Sequence, residues 1–144
     1  ACDFRVADGT ASFAVPAARL GIVYNRHECQ TLLSLVGLAK AKDILFSGDR
    51  LDADQASSIG FVDRLADEGE GALGAARRFS ARMSGNAPLT ISGVKLILNA
   101  LAAGDADRRA DDIAAAGRKA LESEDYQEGI RAFAEKRSPL FCGR

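Results

Sequence analysis

This 144-residue sequence predicts a predominantly helical α/β fold. Three observations point there. Short β-type runs come first, around an Asp-Gly turn. Apolar residues then recur at spacings of three and four through most of the remaining chain. Gly, Pro, Ser and Asp punctuate those stretches where helices stop and start. The length suits one domain with a buried core and is short for two.

The first two elements are strands over 4–8 and 12–15. Asp8-Gly9-Thr10 between them is a turn signal. Pro16 ends the second strand, since it has no N–H to give a ladder. Helical periodicity takes over from Gln30: Leu32, Leu35 and Val36 form one apolar face, Gly37 interrupts, and Leu38, Ala41 and Leu45 resume it. Ser47-Gly48-Asp49 stops that helix. Asp52 is the expected N-cap of a short helix over 53–59. Gly60 ends it, because a left-handed C-terminal residue is unhindered when it is glycine. A strand over 61–65 follows. Four helices complete the chain, lined by Leu73, Ala76, Phe79 and Met83, by Ile91, Val94, Leu98 and Leu101, by Ala110, Ile113, Gly117 and Leu121, and by Ile130, Phe133 and Ala134. The last starts near Ser123, and Pro139 closes the pattern. Two or three short strands do not make a stable sheet alone. Either they pair with strands outside this chain or they are not strands. The opening ACDFRVAD, without an initiator Met, reads as the middle of a fold and favours the first option.

Composition narrows the function classes. Apolar residues make up 47% and charged residues 27%, as in soluble globular proteins. Lys and Arg number 19 against 20 Asp and Glu, for a net charge of −1. No basic field therefore favours nucleic acid or an anionic membrane. No apolar run reaches the roughly 18 residues of a membrane span. Cys2, Cys29 and Cys142 are widely spaced and odd in number, which reads as reduced thiols in the cytoplasm.

Several motifs are decoys. Gly69-Glu70-Gly71-Ala72-Leu73-Gly74 fits G-x-G-x-x-G, but Asp67, Glu68 and Glu70 crowd the place of a pyrophosphate. No second strand follows, and no acidic residue ends a strand about twenty residues on. His27-Glu28-Cys29 resembles a metal cluster, yet H-E-x-x-H would need His where Thr31 stands, and one His with scattered Cys cannot supply three or four ligands. No metal site is expected. Arg77-Arg78 and Arg108-Arg109 sit among acids and read as solvated helix faces. No G-x-S-x-G elbow supports nucleophilic catalysis.

Three blocks in order, ACDFRVADGTASFAVPAARLGI, GLAKAKDILFSGDRLDADQASSIGFVDRL and SEDYQEGIRAFAEKRSPLFCGR, resemble the C-terminal half of the enoyl-CoA hydratase/isomerase (crotonase) family. The closing block, Glu-Gly-x-x-Ala-Phe-x-Glu-Lys-Arg-x-Pro-x-Phe, is the strongest. The resemblance implies a crotonase-like fold of ββα turns. Residues 1–66 would be the last part of that core and 67–144 a helical trimerisation and CoA-contacting region of the same domain. It implies a homotrimer or dimer of trimers, and the N-terminal half of the fold as a partner. The substrate would be an acyl-CoA thioester, with coenzyme A part of the substrate and no separate cofactor. Its enolate would be stabilised by two backbone N–H donors, a preorganised contribution of roughly 3 kcal/mol per donor.

Two departures shape the expectation. Both donors and the first hydratase glutamate would precede Ala1, so the chain reads as a fragment. The second glutamate would follow Pro16, where Ala17 stands. Hydration needs a base for water and an acid for the α-carbon. Ala18-Arg19-Leu20-Gly21-Ile22-Val23-Tyr24 resembles a subgroup with methylmalonyl-CoA decarboxylase-like members, whose Tyr lines the acyl pocket. Decarboxylation needs enolate stabilisation without a strong base. Other relatives lacking the glutamates bind acyl-CoA without clear catalysis. Tyr24 is thus the candidate catalytic residue, or a packed aromatic with its hydroxyl satisfied. Pro16, Ala17, Leu20, Gly21 and His27 are candidate acyl-end contacts, with Glu28 nearby. Phe133 and Lys136 match family positions touching the adenine and 3′-phosphate of CoA, and a spacing of three would put them on one helix face. The alternative is a core Phe133 and a solvated Lys136.

Overall fold

Paired side-chain caps decide where two helices of the first part of the chain begin. The computed structural model describes residues 2–144. Ala1, which opens the first sequence block and the 1–66 segment, lies outside the described residues. The elements run β1 (Val6–Ala7), β2 (Ser12–Phe13), α1 (Ala17–Leu20), α2 (Arg26–Ser47), β3 (Leu51–Asp52), α3 (Ala53–Ser58), β4 (Arg64–Leu65), α4 (Ala72–Ser84), α5 (Pro88–Ala103), a 3-10 turn (Asp107–Arg109), α6 (Ala110–Leu121) and α7 (Glu124–Ala134). The described residues form two compact units, the first running to Phe79 and the second from Ser80 to Arg144.

In the first unit α2 starts at Arg26, earlier than the apolar periodicity alone predicts. Asn25 Oδ1 accepts the Glu28 N–H at 3.0 Å, and Glu28 Oε2 accepts the Asn25 N–H at 2.8 Å. This capping box satisfies two N–H groups that the helix start would leave unpaired. The polar run after Tyr24 is therefore the first turn of a helix. Gly37, with φ 76° and ψ 169°, breaks α2 into two segments, as the interrupted periodicity predicts. That conformation belongs almost solely to glycine. Asp52 caps α3 as expected, in a second capping box with Gln55. A short helix, α1, follows Pro16 and ends at left-handed Gly21.

The strands find partners inside the chain, each only two residues long. β1 pairs in parallel with β4, Val6 opposite Arg64. β2 pairs antiparallel with β3, Phe13 opposite Leu51. The Asp8-Gly9-Thr10 turn is real, with Asp8 Oδ1 accepting the Thr10 N–H and hydroxyl at 3.0 and 2.6 Å. It does not join a hairpin, because Arg5 ties the chain to a distant segment. Its guanidinium donates to the Phe61 carbonyl at 2.6 Å and pairs with Asp63 at 2.8 Å, drawing β1 onto β4. Phe61 and Leu51 then pack against two clusters, one around Ala7, Ala56 and Val62, the other around Leu32, Ala41 and Ile44. Phe13 meets Phe61 edge-on at 5.3 Å between centroids, a favourable quadrupole arrangement.

In the second unit Ser123 Oγ accepts the Tyr126 N–H at 3.1 Å and starts α7 where the sequence predicts. The apolar stripe of α5 exists but does not enter a core: Ile91, Val94, Leu98 and Leu101 are each at least 44% exposed. Among the described residues no helix is long and apolar enough to cross a membrane. All three cysteines are unpaired thiols.

Two alanine substitutions should have opposite signs. Gly37→Ala meets no atom within 4 Å but forces a side chain into a glycine conformation, so it should cost about 1–3 kcal/mol. Gly117→Ala lies inside α6, where the added Cβ is also unobstructed, and should gain about 0.5–1 kcal/mol. Urea unfolding of both variants checks this.

Candidate functional site

The candidate acyl-end residues lie on α1, on the turn after it, and at the start of α2. Pro16 is the half-buried N-cap of α1. Ala17 follows it and is only 5% exposed. Arg19 fastens α1 to the far end of α2, donating to the Ser47 carbonyl at 3.1 Å and pairing with Asp49. A cation at a helix C-terminus complements the carbonyl ends there. Leu20 and Gly21 are exposed at the end of α1, and Val23 is 96% exposed. Tyr24 is half-buried directly before the Asn25 cap, and its carbonyl accepts the Cys29 thiol at 3.6 Å. His27 is exposed on the first turn of α2, where its carbonyl accepts the Thr31 hydroxyl at 2.9 Å. Glu28 is taken up by the capping box. Ala17 and Leu20 thus lie on α1, and His27 on the start of α2, two helices that pack together, with Pro16, Gly21 and Tyr24 flanking them. Ala17 contributes only a methyl group at this position.

Phe133 and Lys136 lie in the second unit, and here the expected geometry needs correcting. α7 ends at Ala134, so the two residues do not share a helix face. Phe133 is 88% exposed, which removes the core alternative for it within this chain. Lys136 is also exposed and sits beyond the helix with φ 54°. Its N–H donates to the Phe133 carbonyl at 3.2 Å, and the Arg137 N–H donates to the Ala132 carbonyl at 3.1 Å. This is the Schellman closure that usually carries glycine at the left-handed position. Phe133 also borders an apolar groove of about 550 Å³, with Leu89, Ala120, Tyr126, Ile130 and Phe141 on its walls.

Sequence reasoning missed the residues that organise this region. Asp125 and Glu128, one turn apart on α7, are buried carboxylates. Asp125 accepts the Cys142 and Gly143 N–H groups at 2.6 and 2.8 Å. Glu128 receives Arg137 through two bonds, at 2.6 and 3.0 Å, together with the Leu140 N–H at 3.0 Å and Arg131 at 3.2 Å. The Arg137 hydrogen bonds, then the Leu140 N–H, outweigh burial and hold the Glu128 carboxyl down at about 2. Asp125 is lowered as well, chiefly by the Cys142 N–H. Two acids at a spacing of three on a helix, with an Arg shortly beyond its end, were the available signal.

The decoys are explained by their neighbours. The Gly69–Gly74 segment is occupied by its own charges: Arg78 pairs with Asp67 at 2.7 Å and with Glu70 at 2.8 Å, and Asp8 faces the Ala72 N–H at 3.4 Å where α4 begins. A carboxylate already sits where an anion would dock. Arg109 pairs with Asp105 at 2.9 Å. Among the described residues no cluster of His, Cys, Asp and Glu could hold a metal ion.

Residues 1–144 match the model of the enoyl-CoA hydratase/isomerase family. The chain belongs to that family. It is 35% identical over 148 residues to a carnitinyl-CoA dehydratase of Citrobacter koseri, covering 100% of this chain and 56% of that protein. It is 32% identical over 145 residues to an enoyl-CoA isomerase/hydratase of Mycosarcoma maydis, covering 100% and 53%. It superposes on an enoyl-CoA hydratase/isomerase family protein from Hyphomonas neptunium with TM-score 0.87 and 34% identity, over 99% of this chain and 54% of that one. An enoyl-CoA hydratase from Bacillus anthracis gives TM-score 0.86 at 26% identity, over 99% and 55%. The fold is crotonase-like, in a mainly helical portion. The chain spans about half the length of the curated relatives it matches.

The two buried carboxylates set an acid limit. Glu128 is lowered from an ordinary 4.5 to about 2 on folding. Its stabilisation is then complete above pH 4.5 and is lost as pH falls towards 2. Glu128→Gln should flatten the fall of Tm with pH across that window and lower Tm at neutral pH.

Proposed function

We propose that this enoyl-CoA hydratase/isomerase family protein binds an acyl-CoA thioester and stabilises its enolate. The observation that carries the reading is the match of the family model along residues 1–144. Removal of an α-proton, or loss of a carboxylate from the α-carbon, moves an electron pair towards the thioester oxygen. Donors aimed at that oxygen lower the barrier. The resemblance assigns the two donors to the half of the family fold that this chain does not span. Within this chain Pro16, Ala17, Leu20, Gly21 and Tyr24 border the acyl end, with His27 at its rim. Phe133 stacks on the adenine and Lys136 meets the 3′-phosphate as a point charge. The exposed stripe of α5 supports the homotrimer or dimer of trimers that the resemblance implies.

A second reading is favoured by Ala17. Without a carboxylate there, water addition loses a general acid or base, a deficit on the order of 10²–10⁴-fold. Decarboxylation of a malonyl-type CoA thioester is spared that loss, because departing carbon dioxide leaves the enolate electrons behind. A non-catalytic acyl-CoA-binding role is spared it too. Carbon dioxide release from methylmalonyl-CoA without hydration of crotonyl-CoA would select decarboxylation. Rapid hydration would exclude both alternatives.

Ligand-induced stabilisation tests the binding reading. Butyryl-CoA at a hundred times its Kd should stabilise the protein by about 2.7 kcal/mol, seen as a rise in Tm. No rise with any short acyl-CoA would contradict the proposal.

A further inference from the structure

We infer that Glu128 is a positioning residue for Lys136, holding the turn that presents the Lys136 ammonium to an anionic group of the ligand. The inference rests on the acyl-CoA reading above. Lys136 occupies the left-handed position of the Schellman closure with φ 54°, a place where a side chain is strained and glycine is usual. Such a conformation persists when the surroundings over-determine it, and here both flanking residues are fixed. Arg137 gives two bonds to Glu128, at 2.6 and 3.0 Å, and its Nε reaches back across Lys136 to Glu135 at 2.6 Å. Glu128 is itself held by the Leu140 N–H at 3.0 Å. Residues 135 and 137 thus form a clasp around Lys136, anchored on a buried carboxylate. Lys136 is exposed and, among the described residues, unpaired.

The electrostatics require the clasp. A helix C-terminus repels anions through its carbonyl ends. At α7 the closing turn satisfies carbonyls of the last helical residues, and Arg131 and Arg137 offset Glu128 and Glu135. The Lys136 charge is left to face an anion. A lysine free to swing would have to be ordered by the ligand at an entropic cost, whereas a fixed turn reduces that cost in advance.

The test compares coenzyme A with dephospho-coenzyme A, which lacks the ribose phosphate, by calorimetric titration of the protein. The native protein should prefer coenzyme A by roughly tenfold, the worth of one charge-assisted contact. Lys136→Ala should abolish the preference. Glu128→Gln should abolish most of it, and Glu128→Gln combined with Lys136→Ala should show the same absence of preference as Lys136→Ala alone. General damage to the fold would weaken both ligands equally and leave their ratio unchanged. Glu135→Gln decides the matter if Glu128→Gln does not fold, because the Glu135 side chain is 52% exposed. Removing its negative charge would by Coulomb attraction alone raise the preference. Loss of the clasp lowers it. A preference that survives in Glu128→Gln and Glu135→Gln overturns the positioning role but leaves the acyl-CoA reading intact. A native protein that binds both ligands equally overturns the role of Lys136 in that reading, and the inference with it. A native protein that binds neither overturns the reading itself.

Discussion

The buried carboxylate of Glu128 is the constraint on which the second unit depends. The segment after α7 has no strand partner for its N–H groups, and buried donors must be satisfied. Glu128 and Asp125 do this with side-chain oxygens, one for Leu140 and the other for Cys142 and Gly143. Because the two acids stand one turn apart on α7, the tail is laid back along that helix. Phe141 then becomes a wall of the apolar groove, and Arg137 is locked beside Lys136. Leaving the carboxylate in place but removing its arginine would strand a buried charge, which costs more than the pair contributes.

The first unit solves a different problem. Its strands are too short to stand as a sheet, so side chains hold the backbone where ladders cannot. Arg5 bonds to Phe61 and Asp63, and Asn25 and Asp52 start α2 and α3. Arg19 pins α1 to the end of α2. The result is a defined turn from Pro16 to Tyr24, with Ala17 buried and the apolar tip at Val23 exposed.

Much of this was legible in the residues. The caps at Asp52 and Ser123, the break at Gly37 and the stop at Gly60 are local signals, written within a few positions of where they act. The crotonase likeness was legible because three blocks fall in order, with a distinctive closing run. Strand pairing was not, because β1 and β4 are joined by an arginine contact across more than fifty intervening residues. The early start of α2 was hidden because a capping box looks polar while helix periodicity is read from apolar positions. The Phe133–Lys136 pair was misplaced because spacing implies a shared face only while the helix continues, and a lysine gives no warning of a left-handed turn. Asp125 and Glu128 were passed over because acids on a helix are ordinarily solvated.

In the proposed function the central chemistry is polarisation of one carbonyl. On that reading Ala17 lacks a group that would move protons, while charge on a thioester oxygen would still have to be held. The most direct measurement is isotope-edited infrared spectroscopy of butyryl-CoA labelled at the thioester carbonyl, free and bound to the protein. The account predicts that the labelled stretch moves to lower frequency on binding, as hydrogen-bond donors draw electron density onto the oxygen. A bound thioester whose carbonyl stretch stays at its free value would contradict it.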